Sequence, residues 1–372
     1  MKRHHIIARF PISSIFGRSE GRIMRGGRWR AGMTALALAG AVLATAVQAA
    51  DYTGVWSRGP DMSRGWEEIV GVRVADKIYI VSGYQAYVKG FSGASDLIEW
   101  RPLGLNILFD PKTGKYTNKA KIPVPAHHVA AAEVDGKIYV FGGFVAPEEV
   151  GGWSSVDHTW MYDPATDKWT IKMPMPTPRG GAHAAAVEGR IYVIGGFTSS
   201  THIPGNIGMD QRVVERYDPK TDTWVQKQPM PTPRNHHTAA VINGRIYVAG
   251  GRIGAPVRTF SSHLNMLEEY DVQRNHWTRK ALMPTPRSGS AYGVLNGKLV
   301  VIGGEDSKKV YNEVEVYDPV TNRWQQLSPM PVAKHAPANV VFDEKLYLFS
   351  GNLRAGGGSE VPTVDIFELQ ER

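Results

Sequence analysis

The chain of 372 residues contains no cysteine. That excludes a disulfide framework, a thiolate nucleophile and any cysteine-ligated metal cluster. It also lacks the G-x-S-x-G elbow, H-E-x-x-H, the P-loop and a glycine-rich dinucleotide fingerprint, so the commonest hydrolase, metalloprotease and nucleotide signatures are missing. Past residue 50 no apolar run reaches the roughly 20 residues that a spanning helix needs. Acidic residues are nearly absent from the first 50, where Glu20 stands against Lys2, Arg3, Arg9, Arg18, Arg22, Arg25, Arg28 and Arg30. That stretch holds +7 of the net +8, leaving +1 for residues 51–372. The basic balance therefore carries no argument for nucleic acid, and no nucleic-acid partner is expected.

The same leader has an uncharged Ala- and Leu-rich stretch from Ala31 to Ala46, followed by the small-residue pattern Val47-Gln48-Ala49. This predicts a signal peptide over residues 1–49, cleaved near Ala49, and a periplasmic or secreted mature chain over residues 50–372. Met24 offers a second start that gives a leader of more ordinary length. The absence of cysteine suits an exported protein that relies on its core.

What is abundant is punctuation. Forty glycines and 24 prolines accompany 10 tryptophans and 15 tyrosines, which suits short strands, tight turns and aromatic packing. Six strand-like runs recur: KIYIVSG from Lys77, KIYVFGG from Lys137, RIYVIGG from Arg190, RIYVAGG from Arg245, KLVVIGG from Lys298 and KLYLFSG from Lys345. Their starts lie 60, 53, 55, 53 and 47 residues apart, the spacing of a four-stranded propeller blade. After each of the first five comes an aromatic-Asp turn with a second aromatic seven positions on, as in YDPATDKW from Tyr162, YDPKTDTW from Tyr217, YDPVTNRW from Tyr317 and FDPKTGKY from Phe109. YDVQRNHW from Tyr270 keeps the aromatics and loses the proline.

The Gly-Gly doublet, the spaced Tyr and Trp and the blade-length period resemble kelch repeats over residues 51–372. Ser82-Gly83 and Ser350-Gly351 depart from the doublet in the first and last copies. The expected fold is all-β: a single six-bladed kelch β-propeller. The sixth copy stops after Phe367 without a Trp strand, while the mature chain begins with an orphan Trp56, so the N-terminal strand is expected to complete the last blade and close the ring.

Aligned on these strands, Trp66, Ala126, Arg179, Arg234, Arg287 and Lys334 share one position, 11 residues before the basic residue that opens the next strand. They end the loop entering the innermost strand and are expected around the mouth of the central channel. The cationic four read two ways: caps that hold blades together, or forks for a carboxylate or phosphate of a ligand. The resemblance implies that the next two positions line a pocket: Glu67 and Glu68, His127 and His128, Gly180 and Gly181, Asn235 and His236, Ser288 and Gly289, His335 and Ala336. It implies the same for the residue after each doublet: Tyr84, Phe144, Phe197, Arg252, Glu305 and Asn352.

His127, His128, His236 and His335 beside Glu67 and Glu68 offer metal donors, but side chains from different blades of a wide funnel are expected to diverge. No metal and no cofactor is expected; hydrogen bonding to hydroxyls or proton transfer is the expected use of the imidazoles. Tyr84, Tyr87, Phe91 and Trp100 in the first long loop, and Trp153 and Trp160 in the second, offer faces for a sugar or a peptide. The leading expectation is a monomeric exported module that binds a carbohydrate, peptide or protein through its funnel face. The alternative resembles the exported kelch-type mutarotases of sialic acid: RSGSAYGV from Arg287, leading into KLVVIGGE, is similar to that family, and Glu67, Glu68, His127, His236 and Arg287 would supply acid, base and anion contacts. The galactose-oxidising copper chemistry of the same architecture needs a cysteine-tyrosine crosslink, which this sequence excludes.

Overall fold

Alternating apolar residues bounded by left-handed turns make each repeat a meander of strands. The computed structural model describes residues 52–88, 98–145, 153–199, 208–254 and 262–372, and every regular element among them is a strand. Residues 1–49, with the expected cleavage site near Ala49, lie outside the described residues, as does Phe91. The side chains of Tyr87 and Trp100 lie outside them too.

The third repeat shows the pattern. His183–Val187, Arg190–Ile194, Val214–Asp218 and Thr223–Gln226 pair in that order as one antiparallel sheet. The first hairpin turns on Glu188-Gly189, both at positive φ (51° and 71°), the type I′ geometry whose twist matches that of the strands. Six sheets repeat this order, the first with an added strand, Ile98–Pro102. The sixth runs Ala338–Phe342, Lys345–Phe349, Val364–Glu371 and then Tyr52–Arg58 as its outermost strand. Trp56 pairs with Phe367 there in the register in which Tyr217 pairs with Trp224. Inner strands such as Ala130–Val134 are rich in alanine because they crowd the axis.

Apolar side chains from adjacent blades interleave in six clusters around the ring. One joins Ile69, Ile78 and Phe109 of the first blade to Val340, Phe349 and Val364 of the sixth. Polar latches repeat at the rim. Asp222, on the turn after Tyr217, accepts the Tyr217 hydroxyl at 2.6 Å and the backbone N–H of Met173 in the preceding blade at 2.9 Å. Trp224 Nε1 donates to the Met173 carbonyl at 2.9 Å. The same set recurs at Tyr162, Asp167 and Trp169, at Tyr270, Asn275 and Trp277, and at Tyr317, Asn322 and Trp324.

The doublet has a comparable job. Gly143 N–H donates to the Arg179 carbonyl of the next blade at 3.0 Å, with Gly142 and Gly143 at φ 59° and 98°, where a side chain is strained. Serine takes the first doublet position in the end blades, and its hydroxyl contributes a bond of its own. Ser82 Oγ donates to the Ala126 carbonyl at 2.7 Å, and Trp66 N–H donates to Ser350 Oγ at 2.7 Å. Among the described residues no helix is long and apolar enough to cross a membrane.

Candidate functional site

The MPTPR phrase belongs to the scaffold. Arg179, Arg234, Arg287 and Lys334 are buried inside the blades, not at the mouth, and each meets a carboxylate on the third strand of its own blade. Arg179 Nη1 lies 2.6 Å from Glu215, Arg287 Nη2 3.1 Å from Glu315 and Lys334 Nζ 2.6 Å from Asp365, and Arg234 pairs with Glu268. The threonine of the phrase grips the same group: Thr177, Thr232 and Thr285 donate to Glu215, Glu268 and Glu315 at 2.7, 2.9 and 2.6 Å. The methionines Met175, Met230, Met283 and Met330 are core. Of the two readings of these cations, the cap holds only in part: they cap carbonyls and a carboxylate of their own blade, as Arg234 does with the Gly250 and Met266 carbonyls, and do not tie one blade to the next. The fork for a ligand does not fit, because a buried cation already neutralised by a carboxylate is turned away from an outside anion.

Of the next two positions, the second borders the channel cavity in every blade, at Glu68, His128, Gly181, His236, Gly289 and Ala336, whereas the first position and the residue after the doublet are not part of that lining. The first position bridges the residue after the doublet in every blade, so these two sets pair one to one: Glu67 with Tyr84, His127 with Phe144, Gly180 with Phe197, Asn235 with Arg252, Ser288 with Glu305, His335 with Asn352. The second position is left-handed in all six blades, with φ between 50° and 63° at Glu68, His128, Gly181, His236, Gly289 and Ala336. Backbone bonds link these residues from blade to blade: Gly181 N–H to His128 O (2.8 Å), His236 N–H to Gly181 O (2.9 Å), Gly289 N–H to His236 O (3.0 Å) and Ala336 N–H to Gly289 O (2.8 Å). This belt rings a cavity of about 100 Å³, lined below by His183, Tyr292 and Asn339.

Ionisable groups crowd the belt. Arg252 Nη1 lies 2.7 Å from Glu305 Oε1, and its Nη2 donates to His236 Nε2 at 3.0 Å. His236 Nδ1 lies 2.5 Å from Asn235 Oδ1, whose amide nitrogen donates to Asp210 at 2.5 Å and to the Gly254 carbonyl at 3.0 Å. His128 Nδ1 and His127 Nδ1 are 2.5 Å apart, and His128 Nε2 is 3.5 Å from Glu68. Tyr84 stacks on His128 at 5.6 Å, and Trp153 packs on His127 at 4.4 Å. A glycine-rich loop from the sixth blade is pinned over this face: Gly356 N–H donates to Glu305 at 2.8 Å, Gly358 N–H to Glu67 at 2.7 Å, and the His335 imidazole Nε2 donates to the Arg354 carbonyl at 2.9 Å.

Burial sets the protonation states. It is the largest influence on Glu67, pushed up to about 9, and on Glu68, pushed up to about 8 against the pull of Arg252. Burial pulls His127 down to about 3 and holds His128 and His236 well below the usual imidazole range. At Glu305 burial works upward, but His335, Arg252 and the Gly356 N–H outweigh it and keep the carboxylate below its ordinary value. The site therefore sets carboxylic acids beside an ionised carboxylate. Between about 4.5 and about 9 the folded chain keeps a proton on Glu67 that the unfolded chain releases, so this group's contribution to stability falls as pH rises. Glu67→Gln is expected to flatten that fall, by up to about 1.4 kcal/mol per pH unit, in urea midpoints compared between about pH 5 and about pH 8.

Two family models match: the KLHDC2/KLHL20/DRC7 Kelch-repeats domain over residues 175–351 and the Kelch motif over residues 125–176. The chain is a kelch-repeat propeller. Among curated relatives, the kelch propeller is 28% identical to Kelch-like protein terF of Aspergillus terreus over 69% of this chain and 54% of that one. It is 29% identical to Beta-scruin of Limulus polyphemus over 63% and 24%, and 27% identical to human Kelch-like protein 15 over 65% and 41%. The chain thus spans about half the length of terF and less of the others. A solved structure titled "Structure of YjhT" superposes with a TM-score of 0.68 at 16% identity, over 85% of this chain and all of that one, which shows the shared fold.

Sequence reading of the kelch propeller missed the carboxylates that neutralise the phrase cations. The signal was present: Glu215, Glu268, Glu315 and Asp365 each stand two residues before the aromatic of the turn, whereas the two blades without the cation carry Ile107 and Trp160 there. Trp160 accordingly lies in the strand Thr159–Asp163, packed between the first two blades, and is not a loop residue free to stack on a ligand. The expected divergence of side chains from different blades also fails. Glu68, His128 and His236 place donor atoms within 4.8 Å of one another because the shared left-handed turn aims all three at the axis.

Proposed function

We propose that the kelch propeller is a binding module whose site is the channel mouth, taking a small, hydroxyl-rich ligand of the carbohydrate class. One observation carries this reading. His127 Nε2, Ser288 Oγ, His335 Nδ1 and Asn352 Nδ2 are buried in the ring of positions next to the belt, with no hydrogen-bond partner among the described residues. Each such atom costs about 1–3 kcal/mol when left unmet, and four gathered in one ring of positions fit a ligand that supplies the missing donors and acceptors. The cation Arg252 is already balanced by Glu305, which favours neutral hydroxyls over an acidic sugar. Export of the mature chain to the periplasm or beyond remains part of this proposal, supported by the leader's residues alone.

The test is a thermal-shift screen of the purified protein against neutral sugars, uronic and sialic acids, and short peptides. A ligand at about a hundred times its dissociation constant adds near 2.7 kcal/mol. Neutral sugars are expected to stabilise the protein, and Asn352→Ala to weaken the hit by about 1–3 kcal/mol. Stabilisation by peptides alone would overturn the carbohydrate class. Silence from all of them, with capture of a macromolecule instead, would move the site to the protein-interaction use that likeness to kelch-like proteins supports.

A second reading, exchange of sugar anomers, is favoured by the protonated Glu67 and the ionised Glu305 in one cluster, an acid and a base set apart by environment. Anomer equilibration followed by NMR separates it from binding alone.

A further inference from the structure

We propose that Glu68, His128 and His236 form a binding site for a borderline divalent first-row cation, zinc or ferrous iron by donor chemistry. The three come from the first, second and fourth blades, and their donor atoms lie within 4.8 Å of one another. Two imidazoles and one carboxylate with open coordination positions are the donor set of catalytic zinc and of non-haem iron, and a poor match for the all-oxygen preference of magnesium or calcium. The adjoining cavity of about 100 Å³ has room for several water ligands.

The outer contacts fit as well. His236 Nε2 accepts from Arg252 while Nδ1 faces Asn235 Oδ1, which makes it a neutral imidazole with the proton on Nδ1 and its lone pair turned to the arginine side. Asn235 is itself fixed by Asp210 and the Gly254 carbonyl. A metal-bound histidine characteristically has its other ring nitrogen tied in this manner. His128 is tied at Nδ1 to His127, and its Nε2 is turned toward Glu68.

The Arg252 guanidinium touches the lone pair that an ion would use. In this arrangement it stands in for the cation, and it keeps a second anchor, Glu305, when an ion displaces it from His236. Arginine and metal are thus competitors for one nitrogen. This inference does not depend on the carbohydrate reading, since the metal alone is the probe.

Metal-stripped protein is titrated with Co²⁺, followed by its visible d–d bands, and with Zn²⁺ by calorimetry. One equivalent is expected to bind. Glu68→Ala, His128→Gly and His236→Gly are each expected to abolish the bands without unfolding the chain, because Ala336, Gly181 and Gly289 hold the same left-handed position in other blades. Should a glycine variant unfold, the glutamine variant of the same histidine is read in its place. Asn235→Ala is expected to weaken binding and Arg252→Gln to tighten it, by about 10- to 100-fold as for other groups that touch a metal-bound imidazole. Absence of stoichiometric Co²⁺ binding in both the wild type and Arg252→Gln, or bands that survive in the histidine variants, would overturn the site.

Discussion

Arg234→Ala is expected to lower the unfolding free energy by about 3–5 kcal/mol, the cost of stranding one partner of a buried ion pair. The side chains of Arg234 and Glu268 have no exposed surface, and the arginine also satisfies the carbonyls of Gly250 and Met266 at 3.0 and 3.1 Å. Truncation leaves a buried carboxylate and two carbonyls unmet. A double replacement, Arg234→Met with Glu268→Leu, removes both charges and is expected to recover most of the loss. Urea denaturation at neutral pH decides: a single variant as stable as the wild type would show that the pair is not the clasp described here.

Loss of residues 51–62 is expected to be larger still. That stretch supplies Tyr52 and Met62 to the core, Trp56 against Phe367 at 4.9 Å, and the seven-residue strand that pairs with Val364–Glu371. Each large core side chain is worth about 2–5 kcal/mol, so the sum approaches the whole stability of an ordinary domain, about 5–15 kcal/mol. The truncated chain also bares a sheet edge and should self-associate. A peptide of residues 50–62 added in trans is expected to restore the melting transition. An unchanged transition in the truncated chain would refute the role given to the strand.

Architecture was legible because the repeat speaks six times. The doublet, the aromatic turn and the near-constant spacing each report a local backbone need, and such needs are written where they act. The belt positions were legible for the same reason, since Glu68, His128, His236 and Ala336 all fall at a fixed step before the basic residue of the strand. The role of Arg179, Arg234 and Arg287 was not. A guanidinium that grips a ligand and one that grips a strand of its own blade look alike until its carboxylate is found, and that partner lies far along the chain, 36 residues on for Glu215 from Arg179. Convergence at the axis was hidden for another reason. It depends on the left-handed turn at Glu68, His128 and His236, where two of the six blades use glycine and these three do not.

The most direct test of the mouth as the binding site compares the thermal shift given by the strongest hit in the wild type and in His335→Ser, a change that copies Ser288 at the equivalent place in the fifth blade. The prediction is a modest fall in melting temperature without ligand, from the lost bond to the Arg354 carbonyl, and a lost or much reduced shift with it. A full shift in a correctly folded variant would place the ligand elsewhere on the propeller.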